Sequence, residues 1–129
     1  MMTDPLAHAL SKIKNAENAG KKEVVIKPSS KLIAAVLNIL KAENYIKDFK
    51  VEDNNRGGEI KVKLANVINN VGVIRPRYTV SISDLEKFEN RYLPARGFGR
   101  LIISTSKGIV THIDARAKKT GGTLIAYVY

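Results

Sequence analysis

Ser104, Thr105 and Ser106 place three hydroxyls in a row, followed by one cation, Lys107, and by Gly108. A hydroxyl both donates and accepts hydrogen bonds, and it is short enough to approach the floor of a groove. The apolar run Leu101-Ile102-Ile103 leads into the hydroxyls as a strand. Thr111 with Asp114 signals a helix start just beyond them. The sequence therefore predicts a strand-to-helix turn that carries the hydroxyls. Around it lie Arg96, Arg100, Lys107, Arg116, Lys118 and Lys119, so that residues 95 to 121 hold six basic residues and one acid, Asp114. Hydroxyls suit base edges and riboses, and long cations suit phosphates. The chemistry indicated is recognition of a polyanion, and of RNA in particular.

Each of these residues also has a structural explanation. Serine and threonine satisfy turn and cap amides, and Gly108 can supply a positive φ. Three consecutive hydroxyls exceed what one cap needs. Arg116, Lys118 and Lys119 sit where a helix end would favour cations by about 0.3–1 kcal/mol each. Three cations in four positions exceed that need, so they are assigned to phosphate contact. In Arg96-Gly97-Phe98-Gly99-Arg100 both arginines are assigned to a partner surface, because their forks match phosphates. For Phe98, burial in the core is preferred to stacking on a base. Lys12, Lys14, Lys21 and Lys22 form a second basic group, for which a solvated helix face is an equal reading. Residues 1–64 hold 12 basic and 8 acidic residues, a weaker excess.

Catalysis has no matching constellation. The spacing of a phosphate-binding P-loop is absent. Two histidines and no cysteine do not build a metal site. His112-Ile113-Asp114 could serve acid/base work, but Asp114 fits a cap better. No nucleophile, base and orienting group can be named together. The expectation is no enzyme, no catalytic residue, no cofactor and no metal.

Composition narrows the class further. The chain has 129 residues, 44% of them hydrophobic, enough for one compact fold or two small lobes. A formal charge of +10 destabilises a compact state by self-repulsion unless a partner of opposite sign offsets it. An anionic membrane would call for a long basic amphipathic helix or an apolar run of about 18 residues, and neither is present. The start Met1-Met2-Thr3-Asp4-Pro5 lacks the basic segment and apolar core of a signal peptide. The absence of cysteine fits a reducing cytoplasm. Aromatic residues make up only 6%, which argues against a large base-stacking platform.

The elements that must position these residues follow from periodicity. Asp4 and Pro5 open a helix whose apolar stripe is Leu6, Leu10 and Ile13, with a stop at Gly20. Val24 to Ile26 is a strand ended by Pro28. Ser29 or Ser30 caps a second helix with Leu32, Ile33, Val36, Leu37 and Leu40 on one face, closed by Asn44. Tyr45 to Glu52 and Glu59 to Leu64 are strands around a turn at residues 53–58. These make an N-terminal α-β-α-β-β lobe over 1–65, and 66–72 reads as an Asn/Gly connector. A C-terminal, mainly β lobe with short helices fills 73–129. Val73-Ile74 and Tyr78 to Ile82 are its first strands, interrupted by Pro76. Ser83 with Glu86 forms a capping box before a helix with Leu85, Phe88 and Tyr92 on one face, stopped by Pro94. The helix opened by Thr111 ends at Gly121-Gly122, and Thr123 to Tyr129 is the last strand. The fold class is α+β.

The run Ile103-Ser104-Thr105-Ser106-Lys107-Gly108 resembles the signature of the S-eight family of small-subunit ribosomal proteins. Thr3-Asp4-Pro5-Leu6, Pro28-Ser29-Ser30, Gly121-Gly122 and the ending Tyr127-Val128-Tyr129 extend the resemblance over essentially the whole chain. The long segment from Ser83 to Arg100, together with Gly122-Thr123, resembles the archaeal branch. The resemblance implies two lobes and a structural role in the small subunit. It implies binding to an irregular helix in the central domain of the subunit's RNA, assistance to assembly, and a monomer beside neighbouring ribosomal proteins in the cytoplasm. It carries base contact onto Ser104, Thr105 and Ser106, and backbone contact onto Lys107 and Tyr78. Bacterial members commonly have an acid after the paired glycines, where this chain has Thr123. The alternative function is a translational regulator using the same surface on messenger RNA.

Overall fold

The computed structural model describes residues 5–27, 30–52, 58–74, 77–94 and 98–129. The expected cap at Asp4, the alternative cap at Ser29, most of the turn at 53–58, the interruption at Pro76 and the site residue Arg96 lie outside them. The chain is α+β and forms two compact units, Met1–Asn69 and Asn70–Tyr129.

The first unit runs α1 (Pro5–Asn18), β1 (Glu23–Ile26), α2 (Lys31–Ala42), β2 (Ile46–Glu52) and β3 (Glu59–Leu64). Its antiparallel sheet has the order β1-β3-β2. In β3 the alternation is strict: Ile60, Val62 and Leu64 are buried, while Lys61 and Lys63 are exposed. The buried stripes are Leu6, Ala9, Leu10, Ile13 and Ala16 on α1 and Ile33, Val36, Leu37 and Leu40 on α2. The cap of α2 is Ser30, whose Oγ accepts the Ile33 N–H at 3.1 Å. Asn44 ends α2 at φ +66°, with the Tyr45 N–H returning to the Leu40 carbonyl. Asparagine tolerates this left-handed position because its short amide can bond locally.

The second unit contains β4 (Val71–Val73), β5 (Thr79–Val80), a 3-10 turn (Ile82–Asp84) and α3 (Leu85–Tyr92). It continues with β6 (Arg100–Thr105), β7 (Gly108–Thr111), α4 (His112–Ala117) and β8 (Gly122–Val128). The sheet order is β4-β8-β6-β7, and β5 also pairs with β8. Leu85, Phe88, Leu93, Leu101, Ile103, Ala115 and Leu124 form its core.

Several sequence expectations shift here. Val71 and Gly72, read as connector, pair with Val128 and Tyr127. The capping box forms at Ser81 and Asp84, two residues earlier than expected; the Ser81 N–H donates to the Asp84 carboxylate at 3.4 Å. The 3-10 turn fills the gap before α3. A bulge at Ile125 breaks the alternation of β8, since Ile102 pairs with Ala126 but Ile103 pairs with Leu124. The extra residue turns Leu124 and Tyr127 to one face, where Leu124 belongs to the core and Tyr127 packs against it.

The paired glycines do not end a helix. Gly122 opens β8 and Gly121 precedes it, and at both a side chain would not fit. A Cβ on Gly122 would lie 2.3 Å from the Ser104 carbonyl oxygen and 2.8 Å from Ile103 Cγ2. One on Gly121 would lie 2.5 Å from the Val80 carbonyl oxygen. The obstacles are backbone and cannot swing aside, so β8 threads between β5 and β6 only without side chains there. Gly122→Ala should lower stability by about 1–3 kcal/mol or more, measured by urea unfolding. An unchanged midpoint would show that the strands can separate at no cost.

Candidate nucleic-acid interface

The hydroxyls sit on a hairpin rather than a strand-to-helix turn. Thr105 pairs with Gly108, so Ser106 and Lys107 are the two turn residues between β6 and β7. The short strand β7 was not legible as one. Its four residues lie between a glycine and the Thr111 cap, and only Ile109-Val110 hints at it. Gly108 has φ +115°, a conformation that suits glycine. Thr105 is spent on the turn itself: its Oγ1 accepts the Lys107 N–H at 3.1 Å and donates to the Gly108 carbonyl at 2.8 Å. Ser104 and Ser106 differ from it. Neither hydroxyl bonds to another described residue. Ser106 and Lys107 are exposed, and Ser104 is half-buried.

Register extends this hydroxyl set beyond the motif. Ser104 pairs with Thr123 on β8, and Thr123 pairs with Thr79 on β5. Directly paired residues share a sheet face. Ser104, Thr123 and Thr79 therefore form one row across three strands that lie about 4.8 Å apart. Thr123 contributes a neutral hydroxyl to that row. Sequence reading named Thr123 but missed Thr79, because only pairing brings it alongside. Tyr78, next to Thr79, is half-buried, with its ring 5.2 Å from Phe88 and the Arg91 guanidinium 5.8 Å from its centre.

The chain beyond β7 supplies most of the cations. Thr111 caps α4, its Oγ1 accepting the Asp114 N–H at 3.2 Å, so Asp114 serves helix initiation. The helix ends at Ala117. Lys119 then takes φ +53°, and the Thr120 N–H returns to the Ala115 carbonyl. Lysine in this left-handed conformation costs about 1–2 kcal/mol. Three residues later Gly122 touches Ser104, so Lys119 lies within about 11 Å of that contact by chain length alone. Lys107, Lys118 and Lys119 are exposed and pair with no acid among the described residues. Arg100, half-buried at the start of β6, donates from Nη1 to the Gly99 carbonyl at 2.8 Å. Phe98, expected in the core from sequence, is instead 49% exposed.

Arg116 has an internal partner that the sequence did not announce. Its Nη2 bonds to Glu89 Oε1 from α3, while 47% of the Arg116 side chain stays exposed. Glu89 is itself buried, lying one helical turn after Leu85 on the apolar face of α3. His112 completes the cluster. Its Nδ1 accepts the Leu101 N–H at 3.0 Å, and its Nε2 lies 3.7 Å from Glu89 Oε1. An accepting Nδ1 requires the neutral ring with its proton on Nε2. Burial pushes the His112 pKa below its usual 6.5. The Glu89 carboxylate opposes this, and Arg100 and Arg116 reinforce it. Among the described residues no three potential metal ligands come together, and no helix is long and apolar enough to cross a membrane.

Two outcomes are expected. A histidine neutral when folded but protonated near 6.5 when unfolded contributes stability fully above that pH, and the contribution is lost as pH falls below it. Between about pH 7.5 and about pH 5.5, around the ordinary histidine range, the protein should lose more stability than a His112→Gln variant. Equal losses would refute the neutral assignment. Lys119→Gly should raise stability by about 1 kcal/mol and weaken RNA binding. A gain in both would remove any functional reason for the strained lysine.

Comparison with known proteins agrees with the geometry. The family model for ribosomal protein S8 matches residues 4–129. The chain is 49% identical to small ribosomal subunit protein uS8 of Picrophilus torridus and 50% identical to that of Archaeoglobus fulgidus, each over all 129 residues and the whole of both chains. The same protein of Thermoplasma volcanium is 48% identical over the same span. With a match of this extent and a signature hairpin in place, the chain belongs to the ribosomal protein S8 family.

Proposed function

We propose that this protein is a structural constituent of the small ribosomal subunit, binding an irregular helix in the central domain of the subunit's RNA and assisting its assembly. The observation that supports the reading is the β6–β7 hairpin, which presents the unspent hydroxyl of Ser106 beside Lys107, with Lys118 and Lys119 on the connection that leads to Gly122 at its base and no acid paired to these lysines among the described residues. Regular A-form RNA offers a wide, shallow minor groove lined with 2′-hydroxyls, and sequence becomes readable where pairing is irregular. Short hydroxyls on a rigid turn can reach that groove floor. Cations on longer stems hold phosphates and fix the register. The reading is of a binding protein without catalytic activity, acting in the cytoplasm as a monomer among neighbouring ribosomal proteins. Ser104, Thr105 and Ser106 provide the turn and its hydroxyls, with Gly108 shaping it. Arg96, Arg100 and the exposed part of Arg116 add positive charge, and Tyr78, whose ring packs against the core, offers its backbone neighbour Thr79 to the hydroxyl row.

The two classes of contact should separate experimentally. Ser106→Ala should weaken binding to a central-domain transcript far more than binding to an unrelated duplex. Lys118→Ala or Lys119→Ala should weaken both, and should reduce the salt slope by about one for each phosphate no longer neutralised. If serine and lysine variants behaved alike, this division of labour would fail. Sedimentation separates the two cellular roles: protein found only on free messenger RNA, and never with small subunits, would favour the translational regulator.

A further inference from the structure

We infer that Phe98 is a single-base stacking site: its exposed ring takes one unpaired nucleobase of the same RNA that the hairpin engages. The inference rests on the RNA-binding reading above and adds a second point of contact to it.

Eight aromatic residues occur in the chain, and Phe98 is the exposed one; the other seven are buried or half-buried. Isolated exposed apolar residues are ordinary, but this ring is held from behind. Its centre lies 6.4 Å from that of Tyr129, Tyr129 lies 6.3 Å from Tyr127, and Tyr127 lies 5.7 Å from Tyr92. Asn70 Nδ2 donates to the Tyr129 hydroxyl at 3.2 Å and fixes that ring in turn. The backbone beside Phe98 is pinned as well. Gly99 has φ +93°, and a Cβ there would lie 2.7 Å from both the Val128 carbonyl oxygen and Tyr129 Cβ. The ring is therefore backed by Tyr129 and followed by a closely packed glycine, and such support reduces the ordering cost of binding.

Charge decides the occupant. Arg100 donates to the carbonyl of Gly99, so one cation is anchored on the backbone two residues after the ring. The chain as a whole carries +10. An exposed aromatic face on a strongly basic chain matches a nucleotide, with the base on the ring and the negative backbone drawn by the protein's charge. The location fits one RNA touching both points. β6 starts two residues after Phe98 and ends at the hydroxyl hairpin, and its five steps from Arg100 to Thr105 span about 17 Å. A lone ring also agrees with the low aromatic content, which allows one stacked base and no platform.

The test uses the full-length protein and a transcript of the central domain of small-subunit RNA. Phe98→Leu keeps an apolar side chain and removes the π-face. It should lower affinity roughly 5- to 150-fold, the fold-change of about 1–3 kcal/mol per stacked base, with the thermal midpoint kept. Phe98→Trp should bind more tightly than Phe98→Leu. Ultraviolet cross-linking of the wild-type complex should join residue 98 to one unpaired nucleotide. Wild-type affinity in Phe98→Leu, or a cross-link in assembled subunits that joins residue 98 to a protein instead, would overturn the proposal. Ser106→Ala keeps the two readings apart. If it loses binding while Phe98→Leu does not, only the stacking site fails; if the wild-type protein ignores the transcript, the RNA-binding reading fails first.

Discussion

The second unit depends on the close approach of β8 to the base of the β6–β7 hairpin. Gly122 lies against the Ser104 carbonyl, and Gly121 lies against that of Val80. These contacts let one strand pair with β6 along one edge and with β5 and β4 along the other. The same contact aligns Ser104 with Thr123 and Thr79. It also brings the α4-to-β8 connection, with Lys118 and Lys119, toward the hairpin. A backbone packing requirement thus sets the spacing between the hydroxyls and the cations.

Within that arrangement the polar groups divide by what they are bonded to. Thr105 closes the hairpin turn and Thr111 closes the start of α4, so both are consumed internally. Ser106 and the lysines keep their hydrogen-bonding capacity for a partner. Arg116 does both, with one face on the buried Glu89 and the other in solvent. The Leu101 amide, His112, Glu89 and Arg116 run from the interior of β6 to the surface of α4. A buried carboxylate is costly when unpaired, so the cluster ties α3 and α4 to the strand that carries the hairpin.

Much of this was legible in the sequence, for identifiable reasons. Strong apolar periodicity announced α1, α2, β3 and α3; the pair Ser29-Ser30 announced the cap of α2, and Thr111 that of α4. Alternation failed in β8, because a bulge is a pairing event and leaves no mark in a single strand. The strand β7 was missed because a four-residue segment has too little pattern. The hydroxyl motif was visible, yet its setting was misread: a helix signal at Thr111 hid the hairpin before it. For Phe98 core burial was preferred to stacking, yet the ring is half exposed, since apolar residues are buried on average and not at each position. Glu89 left one readable sign, a charged residue on the apolar face of α3, but its partner on α4 is a tertiary fact.

The most direct measurement is a hydroxyl-radical footprint of the purified protein on small-subunit RNA. A rigid hydroxyl-bearing hairpin flanked by cations predicts protection concentrated at an irregular internal loop of the central domain, on its minor-groove side. Protection spread evenly over regular duplexes, with no preferred loop, would show that charge alone drives binding and would contradict the account.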